Sequence, residues 1–222
     1  KYIFKTFKFK YLTSMDQKSL LQTFFRIRNI ENQYLLSYKR YSFISFQSRL
    51  APTFSMKFIS TTTLERVLNF PNDRSNWNQF DAMNSLFAIA KGLAFLHDHI
   101  IYHGNVCPSN IIVDQVKQCY LCDFGLYPIK KLYIMNGELF NTVYKDPIIN
   151  NDEPTFENDV YSYGILILHI CYVFFGPIPS IPFIQYIQQF NLQSLNNYPP
   201  FFSDLISKCI TNDILKRPTF NK

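Results

Sequence analysis

Two short segments carry the side chains of this chain that are best suited to chemistry. The first runs from His103 to Asn110, and the second is Asp123-Phe124-Gly125. The carboxylate of Asp123 and the amide oxygen of Asn110 are hard oxygen donors, the kind of ligand that Mg²⁺ takes in proteins. Asn and Asp are also frequent in turns, so both residues could simply shape loops. Their joint spacing favours a metal site.

Together the two segments resemble the catalytic loop and the metal loop of the protein-kinase superfamily. That family carries H-R-D-L-x-x-x-N and then D-F-G, and its first Asp accepts the proton of the substrate hydroxyl. The resemblance assigns Asn110 and Asp123 to Mg²⁺, and it gives His103, Phe124 and Gly125 structural roles. It therefore implies ATP and Mg²⁺ as the ligands of the site.

The residue that should perform the chemistry is replaced in this chain. Asn105 stands at the position of the catalytic Asp. A carboxylate accepts a proton because it is anionic, whereas an amide is neutral and is not a base near neutral pH. Asn105 can therefore orient a hydroxyl group but cannot deprotonate it. Cys107 stands where the family usually has a Lys that neutralises the transferring phosphate, and Gly104 replaces an Arg that in many kinases pairs with a phosphorylated segment.

Further motifs in the second half of the chain match the family in order. Asp159 opens a segment similar to D-x-W-S-x-G, and the resemblance gives it the role of holding the backbone of the catalytic loop. Arg217 belongs to a segment similar to the C-terminal R-P-T-F motif. Asp146-Pro147-Ile148 occupies the place of A-P-E, whose Glu normally pairs with that Arg. Ile148 cannot form this pair, so we expect Arg217 to find another acceptor or to reach water.

The first part of the chain matches the family more weakly. The segment Tyr2–Lys5 is similar to the V-A-I-K strand, whose Lys binds the α- and β-phosphates of ATP. Ungapped family spacing from Lys5 puts Leu20 at the position of the Glu that pairs with this Lys, so we expect that ion pair to be absent. The same register puts Phe24 and Leu35 at the apolar positions that stack with the catalytic and metal loops.

The resemblance also names the residues that would surround the nucleotide. Ile3 replaces a small Ala above the adenine and narrows the pocket, and Met56 is the gatekeeper. Lys57 and Ile59 supply the backbone groups of the hinge. The expected nucleotide contacts are Lys5, Ile3, Met56, Lys57, Ile59 and Ile112. A slip of the register from Lys5 to Lys8 is the alternative.

The His-Gly-Asn sequence has a nearer likeness within the superfamily. It is similar to the pseudokinase domains of Janus kinases and to the kinase-homology domains of receptor guanylyl cyclases. Those domains mainly regulate a neighbour, and some retain nucleotide binding. The likeness implies a pseudokinase that binds ATP and regulates or scaffolds a protein partner. Two alternatives stay open: a weakly active or unconventional protein kinase, and an interaction module without nucleotide binding.

The elements that must position these residues follow from the hydrophobic pattern. The predicted strands span residues 2–11, 34–46, 53–59, 111–113 and 119–121. The predicted helices span residues 16–27, with Ser14 or Asp16 as N-cap, 64–68 and 78–97. Strands come first and helices follow, which favours an α+β fold with two lobes, as in a protein kinase. We expect a partial N-terminal lobe at residues 1–57 and a larger C-terminal lobe at residues 58–222.

Composition limits the other classes of function. The net charge is +6, but apart from a few lysines near the start the basic residues are scattered. A nucleic-acid surface needs clustered basic residues, so we expect none. The mostly apolar run 165–175 is shorter than the roughly 20 residues of a membrane span, which predicts a buried core helix and no membrane segment. The five cysteines and the lack of a signal peptide indicate an intracellular setting, and we expect the chain to be part of a longer protein.

Overall fold

The computed structural model describes residues 1–6, 13–46, 49–127, 142–148, 154–177 and 180–220. The strands are β1 (Tyr2–Thr6), β2 (Tyr38–Phe46), β3 (Arg49–Lys57), β4 (Ile111–Val113) and β5 (Cys119–Leu121). The helices are α1 (Ser14–Ile27), α2 (Leu64–Asn69), α3 (Pro71–Arg74), α4 (Gln79–Asp98), α5 (Phe156–Phe174), α6 (Phe183–Gln189) and α7 (Pro200–Cys209). The predicted α+β fold, with a small sheet-containing lobe and a larger helical lobe, is confirmed. The residue at which one lobe passes into the other stays a prediction.

The small lobe is built on one antiparallel sheet with the strand order β1-β3-β2. In this sheet Lys5 of β1 lies opposite Phe54 of β3. Helix α1 covers the sheet through Phe24, whose ring centroid lies 5.3 Å from that of Phe54. Phe54 is fully buried and also lies 5.3 Å from the ring of Tyr38. This aromatic cluster fixes α1 against the sheet, since each ring buries a large apolar area.

The connection between α1 and β2 joins the small lobe to the sheet formed by β4 and β5. The side chain of Asn32 accepts a hydrogen bond from the N–H of Tyr34 at 2.9 Å and so starts a turn. The N–H of Leu121 donates to the carbonyl of Tyr34 at 2.9 Å, and the N–H of Leu36 donates to the carbonyl of Leu121 at 2.8 Å. Because these groups are bonded to β5, strand β2 begins at Tyr38 and not at residue 34 as the alternation predicted.

Two other predicted boundaries are wrong. Helix α1 begins at Ser14, because the N–H of Gln17 already donates to the carbonyl of Thr13 at 3.1 Å. Thr13 therefore flanks the helix, and Asp16 lies inside it. Strand β3 begins at Arg49, since its pairing with β2 extends toward the connection between the two strands. Of the predicted strand 2–11, residues 2–6 are a strand and residues 7–12 lie outside the described residues.

Helix α4 begins at a capping box that its sequence makes possible. The side chain of Asn78 accepts from the N–H of Asp81 at 2.9 Å, and the side chain of Asp81 accepts from the N–H of Asn78 at 3.0 Å. These two bonds satisfy amides that would otherwise lack partners at the start of the helix. The buried face of α4 includes Ala82, Leu86, Ile89 and Leu93.

Helix α5 is the central buried helix of the large lobe, as the apolar run 165–175 predicted. Its Gly164 allows α7 to approach closely, because a Cβ atom at this position would lie only 2.6 Å from Cβ of Cys209. In the part of the chain that the structure describes, no helix combines the length and the apolar character needed to cross a membrane.

Candidate functional site

The loop from His103 to Asn110, called here the 103–110 loop, is held at its start by the carboxylate of Asp159. Oδ2 of Asp159 accepts from the N–H of His103 at 2.6 Å, and Oδ1 accepts from the N–H of Gly104 at 2.8 Å. Nε2 of His97 lies 2.9 Å from the same Oδ2. Gly104 has a φ of +74°, a left-handed conformation that glycine adopts readily. Asp159 is buried in the first turn of α5, so the helix positions the loop.

Hydrogen bonds between residues of the 103–110 loop hold the remainder of the loop in place. The N–H of Asn105 donates to Nδ1 of His103 at 3.3 Å, and Nδ2 of Asn110 donates to the carbonyl of Asn105 at 2.9 Å. Cys107 is buried, with Sγ 3.9 Å from Oδ1 of Asn105 and 3.2 Å from Oγ of Ser109. The position at which the family usually has a Lys therefore holds a buried thiol in this chain.

The second segment, called here the 123–125 loop, lies directly against the 103–110 loop. The N–H of Cys122 donates to the carbonyl of Asn110 at 2.9 Å. Asp123 and Gly125 both have left-handed backbones, with φ values of +64° and +67°. A positive φ is uncommon for a residue other than glycine, and such strain clusters at functional sites. The structure therefore brings the buried side chains of Asn110 and Asp123 into neighbouring loops.

Lys5 is the cation of this site. Its ammonium, presented by strand β1, forms an ion pair with Oδ2 of Asp123. Burial disfavours the ammonium, but the charge and the hydrogen bond of Asp123 outweigh burial, so the pKa of Lys5 is raised. Lys5 therefore stays protonated at neutral pH. The sequence predicted that Lys5 lacks the usual Glu, but it did not identify Asp123 as the partner of Lys5.

Two residues that the sequence did not single out lie against the 123–125 loop. The ring of Phe124 lies 5.4 Å from that of Tyr38. Cγ2 of Ile27 would lie 2.8 Å from a Cβ added at Gly125. Leu35, which was expected in the apolar stack, lies beside Gly92 of α4, with Cδ2 3.3 Å from the position of an added Cβ.

Helix α1 offers no carboxylate at the position predicted to face Lys5. Leu20, the predicted counterpart of the pairing Glu, is buried and uncharged, and so is Thr23, which lies about one turn further along the helix. In the described structure Lys5 pairs with Asp123.

The residues predicted to surround the adenine fall into two groups. Ile3 lies opposite Met56 in the sheet, with Met56 buried and Ile3 at 37% exposure. Ile112 lies opposite Tyr120 in the small second sheet and is half-buried. Lys57 and Ile59 follow on the segment that leaves β3, and both line a cleft of about 850 Å³.

This cleft opens between the α1–β2 connection and the turn between β4 and β5. Its walls include Glu31 and Lys39, which form an ion pair, and Asp114 in the turn. The lining does not contain Lys5, Asn110 or Asp123. The lining of the cleft therefore does not include the residues of the two loops or Lys5, and volume alone does not mark the candidate site.

The buried cation of the large lobe has a partner that replaces the expected Glu. Arg217 forms an ion pair with Asp146, and both side chains are fully buried. The guanidinium also donates to the carbonyl of Glu157 at 3.1 Å and to the carbonyl of Thr211 at 3.0 and 3.1 Å. Ile148, at the position of the usual Glu, is 41% exposed. The carboxylate that pairs with Arg217 therefore lies two positions before that of the usual Glu, and Arg217 does not reach water.

The protein donors that a magnesium ion would meet are the carboxylate of Asp123 and the amide of Asn110. These residue types suit Mg²⁺ only when phosphate oxygens complete its octahedral shell. Oδ2 of Asp123, however, is already bound by the ammonium of Lys5. Within the described ranges, no group of three or more His, Cys, Asp or Glu side chains is arranged to hold a metal. The donor set therefore does not fit a resident Mg²⁺.

Comparison with known proteins places these features in a family. The family model described as protein tyrosine and serine/threonine kinase matches residues 3–222. The chain is 30% identical over 162 residues to the mast/stem cell growth factor receptor Kit of Canis lupus familiaris, and the aligned region covers 64% of the chain and 16% of the receptor. It is 25% identical over 174 residues to the serine/threonine-protein kinase CTR1 of Arabidopsis thaliana, covering 74% of the chain and 21% of that kinase. The chain thus spans only a small part of the length of these curated relatives.

Proposed function

Because the chain belongs to the protein tyrosine and serine/threonine kinase family, we propose that it is a pseudokinase domain. In this proposal it binds ATP and regulates or scaffolds a protein partner without efficient phosphoryl transfer. Members of the family generally use ATP with Mg²⁺. The observation that carries the proposal is Asn105, an amide at the position of the catalytic base in a loop that is otherwise ordered.

The contacts of the 103–110 loop support this proposal. Asn105 is hydrogen-bonded to His103, Asn110 and Cys107, none of which supplies a carboxylate to accept a substrate proton. General-base catalysis contributes about 10²- to 10⁴-fold to a rate, so its loss alone is a large deficit. The buried thiol of Cys107 adds a second deficit, because it cannot neutralise phosphate charge as an ammonium does.

Binding is supported by the groups that the fold still presents. Lys5 offers an ammonium to the phosphates, and Ile3 and the half-buried Ile112 offer apolar surface of the kind that an adenine ring contacts. Met56, which is buried opposite Ile3 in the sheet, is the proposed gatekeeper. Lys57 and Ile59 are the proposed hinge, and Asn110 and Asp123 are the proposed polar groups beside the phosphates. His103, Phe124, Gly125, Asp159 and Arg217 are the proposed structural residues. A reducing, intracellular setting is part of this proposal, and the burial of all five cysteines supports it.

A weakly active kinase is the second candidate, and one observation favours it. Asp159 and the bond from Cys122 to Asn110 hold the two loops in a defined arrangement. Phosphoryl transfer depends on positioning and on charge neutralisation more than on a strong base. A chain that keeps its loop geometry could therefore retain a low rate. The third candidate, an interaction module without nucleotide binding, requires the apolar contacts around Ile3 to fill the pocket.

The variant Asn105→Asp tests these candidates. We expect neither the unaltered chain nor this variant to transfer the γ-phosphate of labelled ATP to a general protein substrate, because several parts of the machinery are missing. The exposed substitution Asn84→Asp on α4 adds the same charge and serves as the control. A large gain of transfer in Asn105→Asp alone would support the weak kinase.

Thermal unfolding with ATP tests binding separately from chemistry. A ligand at about 100 times its Kd stabilises the folded state by about 2.7 kcal/mol, so the proposed pseudokinase should melt at a higher temperature with ATP. Lys5→Met should lose this rise. An unaltered chain whose melting temperature ATP does not change would support the interaction module.

A further inference from the structure

Lys5 and Asp123 form a contact that changes the expected role of the carboxylate. We propose that Asp123 serves as the counter-ion that positions Lys5, and that nucleotide binding at this site needs no divalent cation. This inference rests on the proposed binding of ATP, and it concerns which groups carry that binding. Asp123 is a positioning residue in this account and not a metal ligand.

Lys5 and Asp123 are in direct contact. The ammonium of Lys5 is bonded to Oδ2 of Asp123, and the carboxylate is buried. Charge-assisted hydrogen bonds are the strong ones, and they strengthen where water is excluded. Asp123 is fixed from the other side by its left-handed backbone and by the bond between its neighbour Cys122 and Asn110. The carboxylate is therefore a rigid anchor for a flexible lysine side chain.

Helix α1 offers few competing carboxylates to Lys5. The sequence of this helix contains one acidic residue, Asp16, which lies in its first turn. Leu20, the predicted counterpart of the usual Glu, and Thr23, about one turn further along, are both buried and uncharged. A lysine that leaves Asp123 would therefore find no carboxylate of this helix at either position. Asp123 therefore takes the role that a Glu of this helix usually has in the family, as the counter-ion of the lysine.

The ammonium of Lys5 also lowers what Asp123 offers to a metal. Mg²⁺ binds oxygen ligands at about 2.0–2.1 Å in a near-ideal octahedron, and it gives up its water reluctantly. The carboxylate of Asp123 is already neutralised by the ammonium bonded to Oδ2, and the other protein donor is the neutral amide of Asn110. An ammonium has three donors, so Lys5 can bond to Asp123 and to a phosphate oxygen at the same time. The arrangement suits a polyphosphate without a metal.

The test compares ATP binding in excess Mg²⁺ and in EDTA by isothermal titration calorimetry, with thermal unfolding as the second readout. We expect Kd values that agree within about twofold, because Lys5 supplies the same contact in both conditions. Lys5→Met should weaken binding by about tenfold or more in both, the value of one hydrogen bond to a charged group. Asp123→Asn keeps an oxygen acceptor for Lys5, so ATP binding should persist and should be equal in Mg²⁺ and in EDTA, with at most a modest loss from the weaker anchor.

A second pair of variants tests the role of α1. Leu20→Glu and Thr23→Glu each place a carboxylate on the buried face of α1. We expect a variant in which Lys5 pairs with the new carboxylate to bind ATP more tightly with Mg²⁺ than in EDTA, because Asp123 is then released. If these buried substitutions prevent folding, the comparison of Mg²⁺ with EDTA and the Asp123→Asn variant still decide the question.

Each outcome has a defined meaning. Binding that is at least about tenfold tighter with Mg²⁺ and that Asp123→Asn abolishes would show Asp123 to be a metal ligand, which overturns this inference and leaves ATP binding standing. Lack of binding in both conditions would overturn the inference together with the proposed nucleotide binding. Binding in EDTA that matches binding in Mg²⁺ and that depends on Lys5 supports the inference.

Discussion

Removal of the carboxylate of Asp146 should be among the most destabilising single changes in this chain. Asp146 and Arg217 form an ion pair in which both side chains are fully buried. Breaking such a pair from one side costs about 3–5 kcal/mol, because the remaining charge stays buried without its counter-ion. Oδ1 of Asp146 also accepts from the N–H of Ile148 at 3.0 Å, so Asp146→Ala loses a turn hydrogen bond worth about 1 kcal/mol as well. We therefore expect a loss at the upper end of this range.

The assay is urea unfolding followed by circular dichroism, supported by the melting temperature. For a chain of this size, each kcal/mol lost from the free energy of unfolding lowers the melting temperature by about 2–4 °C. Asp146→Ala should therefore melt about 6–20 °C below the unaltered chain. Asp146→Asn keeps an acceptor for the N–H of Ile148 and removes only the charge. The difference between the two variants separates the turn bond from the ion pair.

A rescue experiment tests whether the acid can return to the position of the family motif. Ile148→Glu alone should change stability by less than about 0.5 kcal/mol, since this side chain is partly exposed. In the Asp146→Ala background the same substitution should restore part of the loss, because it offers Arg217 a new carboxylate. The double variant Asp146→Leu with Arg217→Met should be much less destabilised than the sum of its single changes. Additive single effects, or a loss below about 1 kcal/mol for Asp146→Ala, would refute the reasoning.

Three further predictions follow from buried groups elsewhere. Burial lowers the pKa of His169 to about 3 in the folded chain. Below the ordinary histidine pKa of about 6.5, the unfolded chain therefore binds one proton more than the folded chain. The free energy of unfolding should fall by about 1.3 kcal/mol between pH 7 and pH 5.5, and His169→Asn should remove that part of the pH dependence in urea titrations. Gly164→Ala should cost about 1–3 kcal/mol through overlap with Cys209, while Ala at the exposed Asn84 should be neutral within about 0.5 kcal/mol in the same titration. Burial raises the pKa of Cys119 and of Cys209 to about 12, so neither thiol should react with a disulfide reagent at pH 8 until denaturant unfolds the chain.

Local sequence signals predicted the short elements well. Strands β4 and β5 have the predicted ends, because the turn between them is fixed by its own residues. The side chain of Asp114 accepts hydrogen bonds from the N–H groups of Val116 and Gln118, both at 2.9 Å. A turn of this kind depends on neighbours in sequence, so the sequence alone reveals it. The start of α4 was predictable for the same reason, since Asn78 caps its own helix.

Signals that depend on distant residues could not be found in this way. An ungapped comparison with the family pointed to Phe24 and Leu35 for the apolar stack, and it did not reveal the contacts of Ile27 with Gly125 and of Tyr38 with Phe124. The partner of Arg217 lies 71 positions away in the chain, and nothing in the local sequence of Asp146 indicates the contact. The ion pair of Lys5 with Asp123 spans 118 positions. Each of these contacts is decided by packing of the whole fold.

The two kinds of replacement in this chain have different consequences, and the difference favours a binding role. Where Ile148 removes a structural acid, Asp146 supplies another to the same guanidinium, so the fold keeps its buried ion pair. Asn105 removes the chemical acid, and its contacts within the 103–110 loop are with a histidine, an amide and a thiol. The structural loss is compensated and the chemical loss is not. A domain that must hold its shape and its Lys5–Asp123 pair, but need not turn over ATP, would show this pattern. An active enzyme would also need a replacement for the lost catalytic carboxylate.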